Sequence, residues 1–186
     1  MSARTETRPD PAGGGLPAVP ATIEAERLTL RPLRRSDAGL LRVHAGDARV
    51  ARMTSSIPHP YPPGAAEAFI AQSAGKTVWA IDGAAAGLPE LVGTIDLRPV
   101  SEGQCEIGYW VAPDLWNLGL ASEAVGALVA ANPVGCRTLF GTVFQDNPAS
   151  ARVLTHAGFD YIGDAETYCV AREAKVATWT YLRRMG

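Results

Sequence analysis

The most informative chemical signal in the sequence is a turn between an apolar strand and a helix, with Gly119-Leu120-Ala121 at the helix start. The first backbone N–H groups of a helix have no partner within it and lie at the positive end of its dipole, so they can bind a phosphate. Small residues there let the phosphate approach the backbone. Because short glycine motifs are common, the turn alone also fits an ordinary strand-to-helix connection.

A second motif begins at Asn147, directly after a strand rich in β-branched residues. Pro148 stands where the first residue of a helix is expected, and the helix pattern stops at Gly158 before an aromatic residue. Ser150 lies in the first turn of this predicted helix. A hydroxyl at that position either caps the helix or faces water, unless it takes part in chemistry.

Together, the two segments resemble the acetyl-CoA-binding motifs of the GNAT N-acetyltransferases. More closely, they are similar to the RimJ/RimL branch, the N-terminal acetyltransferases of ribosomal proteins. The opening pattern of Arg27, Arg31 and Asp37 also looks like that branch, so the resemblance covers residues 23–184. The motif residues downstream are Trp116, Gly119, Ala121, Glu123 and Ala124, then Asn147 and Ser150, and finally Ala157, Gly158 and Phe159.

The resemblance implies that two central strands splay apart and bind the pantetheine arm of acetyl-CoA between them. Asn147 would bond a pantetheine amide, and Arg152 is either a phosphate contact or a solvated surface residue. Many members have Gly and then Arg or Lys before the motif glycine, where this chain has Asn117 and Leu118. Phosphate binding should therefore depend more on backbone N–H groups. The residues expected around the pyrophosphate are Leu118, Gly119, Leu120, Ala121 and Ser122.

Acetyl transfer from a thioester to an amine needs a neutral amine, a polarised carbonyl and a protonated leaving thiolate. Glu106, on the strand that leads to the turn, is the candidate base; the alternative is an outward carboxylate paired with an arginine. The resemblance implies that a backbone N–H near residues 107–110 polarises the carbonyl. Many members protonate the thiolate with a Tyr where this chain has Leu154. In the RimJ/RimL-like branch the Ser of Asn-x-x-Ser is the candidate, so Ser150 is the expected acid.

The acceptor amine stays open between a protein N-terminal α-amine and a small amine such as a polyamine or an antibiotic, because a shared fold does not determine the substrate. Tyr109 and Trp110 are candidate cleft residues, although strand aromatics are more often core. Residues 45–64 should shape the acceptor side, through Met53, Ile57, His59 and Tyr61. A non-catalytic acyl-CoA-binding module is the alternative class, because the usual Tyr and basic residue are absent.

Composition narrows the partners and the location. Seventeen Lys and Arg against nineteen Asp and Glu leave a net charge of −2, which does not favour nucleic acid or a membrane. Cys105, Cys136 and Cys169 are odd in number and lack C-x-x-C spacing, so we expect neither a disulfide scaffold nor a zinc site, and no metal cofactor. No apolar leader or 18-residue apolar run occurs, which favours a cytoplasmic protein. A homodimer remains open.

The elements that must position these residues are predicted from periodicity and turn residues. Residues 1–20, with four prolines and three consecutive glycines, predict a disordered tail, and residues 21–186 form the acetyltransferase domain. The expected class is α+β (mixed α/β), with a mostly antiparallel central sheet and flanking helices. Helices are predicted over 36–45, 65–74, 120–131 and 149–157, and strands over 26–33, 77–81, 91–97, 104–111, 138–144, 159–162 and 178–182.

Overall fold

An eight-stranded mixed sheet forms the centre of the fold in the computed structural model, which describes residues 21–186. The sheet order is β1-β2-β3-β4-β5-β6-β8-β7, and β5 with β6 is its one parallel pair among these residues. The strands are β1 (Ile23–Glu24), β2 (Thr29–Arg31), β3 (Val78–Asp82), β4 (Gly93–Ser101), β5 (Gln104–Val111), β6 (Thr138–Phe144), β7 (Asp160–Cys169) and β8 (Ala174–Arg184).

Five α-helices cover the two faces of this sheet in the described part of the chain. They are α1 (Ala38–Ala45), α2 (Ala48–Ala51), α3 (Ala65–Ser73), α4 (Leu120–Ala131) and α5 (Pro148–His156). Along β3, Trp79 and Ile81 belong to the larger core cluster, which includes α4 and α5 residues, whereas Ala80 packs with α1 and α3 residues. Because strand side chains alternate, the two clusters lie on opposite faces of the sheet. The predicted α+β class is confirmed.

The predicted elements agree with the structure best in the middle of the chain. The bounds of β5, α4 and β6 match their predictions, whereas α2 lies in a segment where no helix was predicted. Strands β7 and β8 are longer than expected, at 10 and 11 residues. The outer part of their hairpin is largely exposed on both faces, so it lacks the apolar alternation that marks a half-buried strand.

Arg31 and Asp37, two residues of the opening motif, form a buried ion pair that connects β2 to the start of α1. The guanidinium donates to both carboxylate oxygens of Asp37 at 2.9 Å and to Asp82 on β3 at 2.6 Å. Asp37 also accepts the backbone N–H of Arg34 at 2.7 Å. These two motif residues therefore hold elements together, away from the strands that carry the candidate site.

The cysteine prediction needs one correction, because Cys105 and Cys136 form a disulfide. Cys105 lies on β5, and Cys136 ends the turn that enters the parallel neighbour β6, so the two Cα atoms come within 6.3 Å. The two residues are 31 positions apart, and only the parallel pairing brings them together. Cys169 is free and buried.

Two further expectations concern the first 20 residues and membrane-spanning segments. The predicted disordered tail, residues 1–20, lies outside the described residues. Among residues 21–186, no helix is long and apolar enough to cross a membrane.

Candidate functional site

The parallel strands β5 and β6 separate partway along their length. They pair over Gln104–Ile107 and Thr138–Gly141, although β5 continues to Val111 and β6 to Phe144. Beyond these pairs the two strands have no mutual register, and a gap opens between them. This gap is the splay that the sequence resemblance implies for the pantetheine arm.

Backbone N–H groups of β5 face this gap. The N–H of Ala112 donates to the carbonyl of Val92, the residue just before β4 on the other side of β5, at 2.8 Å. Because successive strand residues point their N–H groups in opposite directions, those of Tyr109 and Val111 point toward β6. They lie beyond the last β5–β6 pair, so they can donate to a carbonyl placed in the gap.

A cavity of about 410 Å³ lies where the gap opens. Thr94 and Asp96 of β4, Glu106 and Trp110 of β5, and Phe144 of β6 line it. The segment expected to shape the acceptor side contributes Met53, Ile57 and Tyr61 to its wall. His59, also expected to shape the acceptor side, is not among the residues that line this cavity, and its exposed ring lies 3.2 Å from the carbonyl of Gly46.

At the cofactor turn, Gly119 adopts the left-handed conformation, with φ of 78°, and Asn117 does too, with φ of 63°. No side chain caps the helix that starts at Leu120, so its first N–H groups have no capping partner among the described residues. Leu118 is exposed, Leu120 is buried, and Ala121 and Ser122 are half-buried. The turn therefore presents backbone donors, as expected for an anion site.

Arg27 brings a positive charge to this turn, a role that the sequence analysis did not assign to it. Its guanidinium donates to the carbonyl of Leu118 at 3.0 Å and to the carboxylate of Glu123 at 2.8 Å. A Cβ on Gly119 would lie 3.5 Å from Arg27 Nη2. Glu123, one of the motif residues on which the resemblance rests, thus orients Arg27. The missing basic residue at position 118 was the signal that a distant arginine could take its place.

Ser150 of α5 and Tyr109 of the central strand β5 form a hydroxyl pair. The Ser150 hydroxyl donates to the Tyr109 hydroxyl at 2.9 Å, and the latter donates to the Ser150 carbonyl at 2.9 Å. Burial raises the pKa of Tyr109, an effect that the hydrogen bond from Ser150 partly opposes, so the phenol stays protonated at neutral pH. Leu154, where many family members have Tyr, is fully buried against Gly141. Tyr109 therefore supplies the phenol near Ser150.

The other predicted cofactor residues of α5 are placed as follows. Asn147 caps the helix, because its side-chain oxygen accepts the backbone N–H of Ser150 at 3.2 Å. Arg152 is exposed and forms no ion pair among residues 21–186.

Two carboxylates and one guanidinium share one wall of the cavity. Arg98 lies 3.2 Å from Asp96 Oδ1 and 3.5 Å from Glu106 Oε2. Glu106 is therefore paired with an arginine, as its alternative interpretation predicted, and it also lines the cavity, as the candidate base should. Burial raises the pKa of Asp96 to about 6; the charge of Arg98 lowers it and that of Glu106 raises it. Sequence reasoning missed Asp96, because a polar residue that alternates with apolar ones along a strand usually just faces solvent.

No group of three or more His, Cys, Asp or Glu side chains within residues 21–186 is arranged to hold a metal ion. The site as described consists of a backbone turn with one arginine, a gap between two strands, a hydroxyl pair, and a cavity with two carboxylates. These parts suit a phosphate-bearing thioester and an amine.

Comparisons with known proteins agree with this geometry. The profile of the acetyltransferase (GNAT) domain matches residues 27–160. A curated relative, the uncharacterized N-acetyltransferase YoaA of Bacillus subtilis (strain 168), is 35% identical over 83 residues, which are 42% of this chain. The match spans 47% of the length of that relative, about half.

Solved structures share the fold over most of the chain. RimJ of Mycobacterium smegmatis, in complex with a CoA disulfide, superposes with a TM-score of 0.75 at 22% identity, covering 89% of this chain and 88% of RimJ. RimL, a ribosomal L7/L12 alpha-N-protein acetyltransferase solved with coenzyme A, gives 0.71 at 17% identity, covering 89% and 98%. At these identities the likeness establishes the fold, and the matched domain profile establishes the family: this chain belongs to the GNAT acetyltransferases.

Proposed function

We propose that this protein transfers the acetyl group of acetyl-CoA to a primary amine, by direct attack within a ternary complex. One observation carries the proposal: the gap between β5 and β6 opens on a cavity with two carboxylates, and the uncapped turn at Gly119 follows the end of β5. A protein N-terminal α-amine is our preferred acceptor. The RimJ/RimL-like motifs support this choice, as does the fold shared with RimL, whose own substrate is a ribosomal protein N-terminus.

The residues at the turn fit a pyrophosphate. Backbone N–H groups of residues 118–122 would bind its oxygens, and Arg27, 43% exposed, would add a charge-assisted contact from outside the helix. Asn147 keeps its amide nitrogen for a pantetheine carbonyl while its oxygen caps α5. Arg152, exposed on α5, would meet a phosphate at the edge of the site. Bound acetyl-CoA would supply an activated acetyl group as a thioester.

The candidate acid and base lie on opposite faces of the sheet. Along β5, the side chains of Glu106 and Trp110 point to one face of the sheet, because strand side chains alternate, and that of Tyr109 points to the other. Glu106 would receive a proton from the amine on the cavity side, and Ser150, bonded to Tyr109, would donate one to the leaving sulfur on the α5 side. Trp110 and Tyr109 line the cavity and would contact the acceptor. The gap connects the two faces.

The carbonyl of the acetyl group needs a donor within the gap. The N–H groups of Tyr109 and Val111 point toward β6 and lie beyond the paired part of the strands. Either would stabilise the negative charge that develops on that oxygen during attack. The donor is part of a central strand, so its position is set before the substrates bind.

A small amine is the second candidate acceptor, and the size of the cavity favours it. About 410 Å³ lies in the range of pockets that bind compact molecules, and it would hold only the first residues of a peptide. The two acceptors share the same catalytic residues and differ in what extends past the cavity mouth.

Thiol-detected release of CoA from acetyl-CoA tests the proposal. The full chain is assayed without an acceptor and with N-terminal peptides, polyamines and aminoglycosides, and a thermal shift with acetyl-CoA is recorded in parallel. Release that depends on one acceptor class would support the transferase and identify that class. Binding of acetyl-CoA without amine-dependent release would favour the non-catalytic acyl-CoA-binding alternative.

Glu106→Gln tests the base in the same assay. The variant keeps the shape of the side chain and removes its proton acceptor, so we expect kcat to fall by about 100-fold. Glu102→Gln, on the exposed turn before β5, is the matched control. A rate for Glu106→Gln equal to that of the control at every pH would exclude Glu106 as the base.

A further inference from the structure

Asp96 is a half-buried acid on the wall of the acceptor cavity. Its side chain is 27% exposed, and its Oδ1 has no hydrogen-bond partner among the described residues, although the guanidinium of Arg98 lies 3.2 Å away. An unpartnered carboxylate oxygen in such a place is costly, because water cannot solvate it fully. A donor that enters the cavity would satisfy it, and a protonated amine is the donor that this site would receive.

The backbone of β5 leaves room for this arrangement. Asp96 on β4 pairs in register with Gly108 on β5, and Arg98 pairs with Glu106. A Cβ on Gly108 would lie 3.0 Å from Asp96 Oδ2 and 3.1 Å from Arg98 Nη2, closer than most real contacts. The glycine therefore lets the carboxylate and the guanidinium lie across the strand, beside Glu106.

The charges that face Asp96 favour a cation. The titratable or charged residues that line the cavity with it are Arg98, Glu106, Tyr61 and Tyr109, and the Tyr109 hydroxyl is bonded to Ser150 on the opposite face of the sheet. Burial raises the pKa of both tyrosines, so they are neutral, and one guanidinium faces two carboxylates. When both acids are ionised, the wall has a net negative charge. An ammonium group would be attracted there, and its charge would help to keep Asp96 ionised.

We propose that Asp96 accepts the first proton from the ammonium group of the acceptor, with Arg98 linking it to Glu106. This inference rests on the proposed acetyl transfer. Asp96 then becomes a carboxylic acid, and the amine has a free electron pair for attack. A second proton leaves nitrogen as the C–N bond forms and the C–S bond breaks, and Glu106 is placed to receive it. Ser150 gives one proton to the thiolate and regains one from solvent, and Asp96 and Glu106 release their two protons to solvent. The net result is one proton on the thiol and one in solvent.

A raised proton affinity suits Asp96 to this role. Its pKa of about 6 leaves it ionised at neutral pH, yet closer to that of an amine than an ordinary carboxyl is. Proton transfer from the ammonium group to Asp96 is then less unfavourable. Each unit by which the pKa of Asp96 is raised increases the equilibrium constant of this transfer about tenfold.

The test measures kcat/KM for the acceptor as a function of pH in the full chain, in Asp96→Asn and in Asp160→Asn. Asp160 is exposed on β7 and makes no ion pair among residues 21–186, so its variant is the matched control. We expect wild type and control to lose activity on acidification through about pH 6. Asp96→Asn should lack this limb and have about 100-fold lower kcat/KM at neutral pH.

A second substrate separates proton transfer from packing. With an amine that is already neutral at neutral pH, such as a fluorinated ethylamine, Asp96→Asn should lose less than about fivefold, because no proton must leave before attack. A merely structural role would lower the rate with both amines equally, and that outcome would overturn the inference. Binding of acetyl-CoA, followed by thermal shift, should match wild type in this variant and verifies its fold.

The failure of this inference is distinguishable from failure of the proposed function. Active wild type with an unchanged pH profile in Asp96→Asn would overturn the role of Asp96 and leave acetyl transfer standing. Wild type that binds acetyl-CoA but releases no CoA with any amine would overturn both. A ¹³C NMR titration of the side-chain carboxyl groups gives an independent readout, because the signal present in wild type and absent in Asp96→Asn belongs to Asp96. If that signal titrates at the ordinary aspartate pKa, the environment that raises the pKa of Asp96 is absent, and the inference is overturned.

Discussion

The cofactor end and the acceptor end of the site are built in different ways. At the cofactor end, one continuous stretch, residues 116–124, supplies the turn for the pyrophosphate, and Arg27 reaches that turn from elsewhere in the chain. At the acceptor end, the cavity wall combines residues from β4, β5, β6, β8 and the segment between α2 and α3. Backbone donors in a local turn bind a group common to a whole family, whereas side chains from distant strands set what the remaining space accepts. Substitutions at the two ends should therefore affect different constants.

The largest effect is expected from Gly119→Glu, which should raise the Kd of acetyl-CoA by more than about 100-fold, because like charges at contact distance repel strongly outside bulk water. The new carboxylate would stand beside the phosphates, and the left-handed backbone disfavours any side chain there. Isothermal titration with acetyl-CoA measures the loss.

Gly126→Glu is the control for that experiment. Gly126 lies on the exposed surface of α4, and no heavy atom would lie within 4 Å of an added Cβ. Unchanged affinity in Gly119→Glu would remove this turn from the cofactor site, and the two ends could no longer be compared in these terms.

Ser150→Ala should lower kcat by about 10- to 100-fold with little change in the Kd of acetyl-CoA, because it removes a proton donor and leaves the phosphate site intact. Tyr109→Phe should have a similar but smaller effect, since it removes the partner of that hydroxyl. Thr155→Ala, on the exposed part of α5, is the control. If turnover in Ser150→Ala equals that of the control, another group protonates the sulfur. Stopped-flow detection of CoA release resolves the step.

Arg27→Gln should raise the Kd of acetyl-CoA by about tenfold at low salt, as expected for one charge-assisted contact, with less change at high salt. The acceptor KM should stay near that of wild type, because Arg27 contacts the turn and α4 and does not line the cavity. Arg42→Gln, which breaks an exposed pair with Glu67, controls for a general loss of charge. A change in acceptor KM larger than that in Kd would contradict the separation of the two ends.

The smallest effect concerns stability at the acceptor end. The folded-state pKa of Asp96, about 6, lies above its ordinary value of 3.8. The folded protein therefore holds this proton more tightly than the unfolded chain does. The resulting stability is present below pH 3.8 and is lost as the pH rises through 6.

Asp96→Asn should accordingly be more stable than wild type at pH 8 by roughly 1 kcal/mol, a value reduced from the full shift because the side chain is partly exposed. The difference should shrink toward pH 5. Urea denaturation at both pH values measures it. A variant less stable than wild type at pH 8 would mean that the ionised carboxylate stabilises the fold.

Sequence reasoning worked where the relevant residues are close together along the chain. The bounds of β5, α4 and β6 followed from local periodicity and turn residues, and the turn at Gly119 was predicted as an anion site. Ser150 and Tyr109 were both singled out, yet their mutual hydrogen bond depends on how α5 packs beside β5. His59 was expected to help shape the acceptor side, and the position of its ring, beside the carbonyl of Gly46, depends on a contact that the sequence pattern does not contain.

By itself, the sequence determined the family, the order of the elements and the cofactor turn, because these depend on short-range spacing and on backbone geometry. The tertiary structure decided what meets across the strands. Asp96 lies beside Gly108, Arg27 reaches the turn from 91 residues away, and Cys105 bonds Cys136 through the parallel pairing of β5 and β6. The alternation of residues along a strand predicts only which face of the sheet a side chain occupies. The register between strands is a long-range property, and it determines the neighbours of that side chain and hence its charge environment.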